Sequence, residues 1–279
     1  MDAPVAFVSH GAPSLALDAA DPTHAFLRGF GDALAASAHP QGCAASAHPE
    51  GCGKPRAILC ISAHWDTVAP ALTAGDEPAT IHDFYGFPEP LYALRYPAPG
   101  SPALALRVRE LLAAAGHDAH LDLRRGLDHG AWLPLMLMYP EAEVPVVQLS
   151  VQSQASGAHH LAIGRALAPL RAEGILVFGS GGATHPLGEA LRATVEPDEG
   201  SPAEWTAGFD RWLTERIEQG DRAALADWHQ APHAERNHPT PEHFVPLLVA
   251  AGAAGEARGS RVHAGWAYRH LSMAAFRWH

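Results

Sequence analysis

Apolar residues along this chain fall into short unbroken runs, separated by stretches with helical spacing. The first run, 5–9, stops at His10-Gly11-Ala12-Pro13, where glycine and proline force a turn. Runs at 57–62 (AILCIS), 144–151 (VPVVQLSV) and 174–179 (GILVFG) follow the same pattern. Continuous apolar runs of this length predict strands buried on both faces. A last strand is expected at 260–266. Between the runs, helices are expected over 22–34, with Asp21 as cap and Pro22 as first residue, and over 101–115, capped by Ser101. A short apolar helix is expected after GLDHGAW (126–132), ending at Met138. Further helices are expected over 158–172, 201–219, 221–229 and 240–254, the last with Thr240 as cap. Strands alternating with helices predict an α/β fold, a mainly parallel or mixed sheet covered by helices. No linker or shift in composition divides the chain, so one domain over 1–279 is expected.

Two segments break the alternation. Residues 81–104 are rich in proline, glycine and aromatics and predict a long ordered loop of the kind that walls a pocket. In it, His82, Tyr85, Phe87 and Tyr92 are candidates to touch a ligand or, equally, to pack the loop onto the domain. Residues 36–53 read ASAHPQGCA and ASAHPEGCG, a tandem near-duplicate too short for a solenoid repeat. It is expected to be a duplicated loop insertion. Its His39, Cys43, His48 and Cys52 are expected to be solvated rather than ligands, because a loop without its own structure does not preorganise a site.

The chemistry sits at the ends of the strands. His10, His64 and His185 each follow an apolar run closely. In open α/β sheets, ligands bind outside the carboxyl ends of the strands. Neighbouring strands lie about 4.8 Å apart, so three such histidines can converge on one ion. Each has a plain structural alternative, as a turn residue, a core histidine or a helix cap. His243, in the first turn of the helix expected at 240–254, is a fourth candidate ligand. Its neighbour Glu242 is a rival, but it is expected to be simply an acid favoured in a first helical turn by the helix dipole.

The 279 residues carry 19 Lys and Arg against 30 Asp and Glu, a formal charge of −11. Such a balance disfavours nucleic acid and anionic membrane surfaces as partners. An anionic substrate then needs a local cation, which a metal supplies. No apolar stretch reaches membrane-span length, and the first residues lack the features of a signal peptide. A cytoplasmic protein, monomeric or a small homo-oligomer, is expected. Its three cysteines (Cys43, Cys52 and Cys60) are not expected to form disulfides. Histidine is unusually common, at 19 residues. His229, His233 and His238 are expected on the surface or in a lid, and His117, His120, His159, His160, His263, His270 and His279 in ordinary structural places.

The blocks FVSHGAPSLAL, CISAHWDT, TIHDFYGFPEPLYALRYPAPGSPALA, GLDHGAW, VPVVQLSV, GSGGATHPL and NHPTPEHFVPLL occur in that order. Together they resemble the class III extradiol ring-cleavage dioxygenases, in particular the DOPA 4,5-dioxygenase branch. The resemblance spans roughly residues 4–255 and leaves out 36–53. It implies one non-haem Fe(II) and an enzyme that opens the ring of a catechol with O2, DOPA above all, giving a betalamic-acid-type product. His10 and His64 match its first two metal ligands. The wider superfamily has a glutamate as third ligand, and this chain has His243 there, so it departs from the two-His-one-carboxylate pattern. His185 matches the acid/base histidine and is also a possible fourth ligand. His129 matches a histidine near the substrate. Three neutral imidazoles leave more net charge on the ion than two imidazoles and a carboxylate. Zn(II) is therefore expected in some preparations, with Fe(II) as the working metal. Two other readings stay open at this point: a zinc-dependent hydrolase, and a non-enzymatic Memo-like metal-binding protein.

Overall fold

The computed structural model describes residues 2–38, 54–195 and 201–279. Among them are ten strands: β1 (Val5–Ser9), β2 (Ala57–Asp66), β3 (Ala71–Thr73), β4 (His120–Asp122), β5 (Val146–Val151), β6 (Ile175–Gly181), β7 (Gly259–His263), β8 (Trp266–Ala267), β9 (Leu271–Ser272) and β10 (Ala275–Trp278). Eight form one sheet in the order β4-β3-β5-β2-β6-β1-β10-β7, while β8 and β9 pair separately. β5, β2, β6 and β1 run parallel. One flank is antiparallel, β1 to β10 to β7. On the other, β3 is antiparallel to β5 and parallel to β4. The expected mixed α/β sheet is the one observed.

The unbroken apolar runs have a simple cause. Successive strand residues point to opposite faces, and here both faces are cores. Val5, Phe7, Leu59, Ile61 and Val177 pack with Leu161, Leu247 and Val249, from helices Gly157–Leu167 and Val245–Ala253. Ala6, Val8, Ile58, Cys60 and Phe178 pack on the other face with Leu27, Phe30 and Trp132, from helices Pro22–Ala38 and His129–Met138. The parallel order brings the carboxyl ends of β1, β2 and β6 to one edge of the sheet, side by side.

Several boundaries differ from expectation. The first helix runs to Ala38 and takes in the start of the duplicated segment; His39, Cys43, His48 and Cys52 lie outside the described residues. Asp21 does cap that helix, its Oδ1 accepting from Thr23 N at 2.6 Å, and Ser101 caps helix Pro102–Ala114 through Leu104 N. β2 continues past Ser62 to Asp66, so His64 lies inside the strand rather than beyond it. Pairing with β6 ends at Ser62, and the register with β5 jumps between Ile61 and Asp66. Such an irregularity re-aims side chains beside a site. The helix ending at Met138 starts at His129, capped by Asp128, whose side chain accepts from Ala131 N. The last helix starts at Val245 rather than near Thr240. The His243 carbonyl accepts from Gly182 N at 2.9 Å, so it is held by the end of β6 instead of by a helical turn. Residues 81–104 form the expected connection, interrupted by the short helix Glu89–Ala93.

One buried histidine makes an acid-stability prediction. His160 is 1% exposed. Its Nδ1 donates to Ser156 O at 3.0 Å, and its Nε2 has no hydrogen-bond partner. Burial lowers its pKa from 6.5 to about 4, against a smaller upward pull from the Ser156 bond. The unfolded chain therefore takes up this proton before the folded one does. The stability that neutral His160 contributes is intact above pH 6.5 and is lost as pH falls through about 4. The slope is at most about 1.4 kcal/mol per pH unit. His160→Leu is expected to flatten the fall in stability over that window, read from urea titrations at several pH values; an unchanged slope would refute it.

Candidate metal centre

His10, His64, His129, His185 and His243 all line one cavity of about 400 Å³ at the carboxyl end of the sheet. Each arrives by a different route. His10 follows β1, and its N–H donates to Gly181 O at 3.0 Å, which ties the β1 end to the β6 end. His64 comes from the irregular end of β2. His129 is the first residue of its helix. His185 lies in the loop after β6, its N–H donating to Asn237 O at 2.8 Å. His243 lies in the turn before helix Val245–Ala253.

Two close approaches need glycine. A Cβ on Gly181 would collide with the His243 carbonyl, so the turn carrying His243 can seat against β6 only because nothing projects there. A Cβ on Gly130 would meet Ser62 Oγ and the ring of His64.

The Nε2 atoms of His10 and His64 are 3.1 Å apart. Their other nitrogens determine what these atoms carry. Ser180 Oγ donates its single proton to Gly130 O, so His10 Nδ1, at 3.0 Å, must donate to Ser180 Oγ. His64 Nδ1 lies 3.4 Å from Asp83 Oδ2. Burial pushes the Asp83 carboxyl up, but contact with the His129 ring and backbone N–H, and the nearby His64, bring it down to about 2. An ionised carboxylate at that position favours the proton on His64 Nδ1. Both Nε2 atoms then point lone pairs at each other, an arrangement that a shared cation relieves.

The other rings complete the donor set. His243 Nδ1 donates to Glu242 Oε1 at 3.0 Å, which frees its Nε2. Thr240 Oγ1 also donates to Glu242 Oε1, at 2.8 Å. The His243 ring centre is 5.5 Å from that of His10 and 5.0 Å from that of His64. His185 stacks on His243 at 3.5 Å between centres, with planes 6° apart. His129 is 3.9 Å from His64 by the same measure, and its Nδ1 lies 3.0 Å from Asp83 Oδ2. Two separate trios have donor atoms within 4.8 Å of one another: His10, His64 and His129, and His185, Glu242 and His243.

Burial keeps His10, His64, His185 and His243 neutral. It is the largest cause lowering His10 and His243 well below 6.5, and neighbouring imidazoles add to it. His64 falls to about 3 and His185 to about 4, again chiefly by burial. Neutral imidazoles backed by carboxylates fit a borderline divalent metal such as iron or zinc.

Sequence reasoning missed the supports. Asp83 and Ser180 hold the rings, and Asp128, fully buried, accepts from Ser62 Oγ at 2.6 Å and Arg125 Nη2 at 3.1 Å, while Ser62 Oγ accepts from His64 N at 3.2 Å. Burial raises the Asp128 carboxyl, against the pull of these partners. Glu242, expected to serve only the helix dipole, instead orients His243. Of the four aromatic-loop candidates, Phe87 lines the cavity. His82 bonds to Leu94 O through Nε2, Tyr92 OH accepts from Phe87 N, and Tyr85 is 90% exposed. Phe84, unmarked in the sequence reading, lines the cavity beside Phe87. His238 is not at the surface. It is 3% exposed and its Nε2 donates to Ala183 O at 3.0 Å, pinning the loop that carries His185.

If Glu242 orients His243, Glu242→Ala should weaken metal binding about 10–100-fold without changing stoichiometry at saturation. A chelator-competition titration checks this, and unchanged affinity would contradict it.

Comparison with known proteins identifies the family. The chain is 43% identical to a protein of Beta vulgaris named 4,5-DOPA dioxygenase extradiol, over 97% of this chain and 94% of the relative. A protein of that name from Portulaca grandiflora is 40% identical over the same shares. Another from Escherichia coli K12 is 43% identical over 72% of this chain and 73% of its own length. The crystal structure of an uncharacterized Escherichia coli K12 protein superposes with a TM-score of 0.75 at 32% identity, covering 98% of each chain. A family model described as the catalytic LigB subunit of aromatic ring-opening dioxygenase matches residues 6–277. With its histidine-lined cavity at the carboxyl edge of a mixed sheet, the chain belongs to this LigB family of ring-opening dioxygenases.

Proposed function

We propose that this enzyme opens the ring of a catechol with O2 by extradiol cleavage, with DOPA cleaved at the 4,5 bond as in the reaction its relatives are named for. The observation that carries the reading is the 3.1 Å meeting of the His10 and His64 Nε2 atoms, their outer nitrogens facing Ser180 Oγ and Asp83. His10, His64 and His243 would hold one Fe(II), and Zn(II) would fit the same donors. Bound there, the metal supplies a Lewis acid that favours the ionised catechol and a redox partner for O2.

The remaining work belongs to the chain. His185 is neutral at pH 7 and accepts the proton from a catechol hydroxyl, then returns it to oxygen as the ring opens. Its stack on His243 fixes the ring plane, and the His238 bond to Ala183 O fixes the loop. His129, held beside Asp83 and next to the His64 ring, offers a second proton-handling group. Phe84 and Phe87 form an apolar wall for the aromatic ring. Among the described residues, no helix is long and apolar enough to cross a membrane. The cytoplasm is the compartment we assign.

The test is reconstitution with Fe(II) under nitrogen, followed by DOPA and oxygen. Oxygen uptake equal to DOPA consumed, with a yellow ring-opened product, is expected. Metal-dependent hydrolysis of an ester or amide without oxygen uptake would favour the hydrolase reading.

A further inference from the structure

Beyond the metal, the cavity shows what sort of catechol it takes. Its outer wall is built by Phe84, Phe87, Leu187, Ala190, Leu271 and Met273. Among the described residues, no lysine or arginine lines it. Four hydroxyl-bearing residues do, Ser9, Thr184, Tyr268 and Ser272, and three of them are committed to the protein. Ser9 Oγ donates to Ala274 O and accepts from Ala183 N, both at 3.0 Å. Thr184 Oγ1 donates to His270 O and accepts from Ser272 N, both at 2.7 Å. Ser272 Oγ donates to Asp210 Oδ1 at 2.6 Å and accepts from Ala274 N at 3.3 Å. A neighbouring cleft that shares Gly11, Ala12, Tyr268 and Met273 with the cavity carries Asp18 and Asp21. A negatively charged substituent would find no lysine or arginine to pair with inside, where Asp83 lines the cavity, and two further carboxylates in the neighbouring cleft.

We infer that the wall between Phe84, Leu187 and Met273 is a subsite for an uncharged, apolar substituent on the catechol ring, and that it selects against a carboxylate in that place. The inference rests on the catechol reading of the site. DOPA fits it with its charged end toward solvent, held by the ring and the metal rather than by ion pairs. A neutral alkylcatechol adds burial of its chain, about fourfold in affinity for each methylene removed from water.

The discriminating pair is 4-propylcatechol and 3-(3,4-dihydroxyphenyl)propionate, which differ by a methyl in place of a carboxylate. Calorimetric titration of the Fe(II)-reconstituted protein under nitrogen gives both dissociation constants. The propyl compound is expected to bind at least about tenfold more tightly than either the propionate or DOPA. Leu187→Arg, at a half-exposed position on the cavity lip, is expected to narrow the preference over the propionate by about tenfold. Equal or tighter binding of the propionate by the unaltered protein would overturn the subsite, as would an unchanged preference in Leu187→Arg. Admission of oxygen to the same complexes separates the two readings. Binding with the expected preference but without oxygen uptake overturns ring cleavage and leaves the subsite standing. Oxygen uptake with the preference reversed does the opposite, and absence of binding by any of the three compounds overturns both.

Discussion

His243→Ala is expected to reduce bound iron from about one ion per chain to less than about a tenth, while His129→Ala keeps it. The choice matters because both histidines stand near the pair formed by His10 and His64. By donor proximity alone, His129 groups with that pair and His243 groups with His185 and Glu242. Two observations favour His243 as the ligand. Its Nδ1 is committed to Glu242 at 3.0 Å, in the manner of a ligand whose outer nitrogen is fixed by a carboxylate. Its main chain is locked to the sheet through Gly182, at a place where Gly181 leaves room for it. His129 shares Asp83 with His64, so the two rings divide one carboxylate. The measurement is metal content after reconstitution and gel filtration, with circular dichroism to establish that each variant is folded. Loss of iron in His129→Ala and retention in His243→Ala would assign the third ligand to His129. His10→Ala and His64→Ala are expected to lose iron in either case.

The parts of this site that were legible in the sequence are those that depend on strand ends. An apolar run followed by His-Gly or His-Trp marks where a buried strand surfaces, and His10 and His64 could be found that way, even though β2 proved longer than its run. Ordered blocks such as GSGGATHPL and NHPTPEHFVPLL located His185 and His243. The supports were not legible, because they are made by tertiary contact. Asp83 sits in an aromatic-rich loop, and only the fold shows that it reaches His64 and His129, 46 residues further on in the second case. Ser180 is one more small residue in a glycine-rich strand end until its bond to His10, 170 positions away, is seen. His238 looked like a surface histidine because it follows a polar stretch, yet it is packed between Phe209, Trp228 and Phe244. The C-terminal strands β8, β9 and β10 are two to four residues long, below the length at which periodicity carries a signal.

His185→Ala is expected to separate chemistry from metal binding. The variant should retain iron and catechol affinity but lose about 10²–10⁴-fold in kcat, the usual loss when a positioned acid/base group is removed. The structural basis is its place rather than its type. The ring is stacked flat on His243, so it lies beside the proposed coordination sphere, and its main chain is pinned by Asn237 and its loop by His238. Burial holds its pKa at about 4, so it is unprotonated at neutral pH and able to accept a proton. If His185 were instead a required ligand, iron content would fall together with turnover. His185→Gln discriminates further, since an amide keeps hydrogen-bonding capacity but does not exchange protons with the substrate in this way. Iron content near that of the unaltered protein with kcat reduced in both variants supports the acid/base role. Full activity in His185→Gln would assign the residue to hydrogen bonding alone, because then orientation of the substrate, and not transfer of its proton, would be what the imidazole supplies.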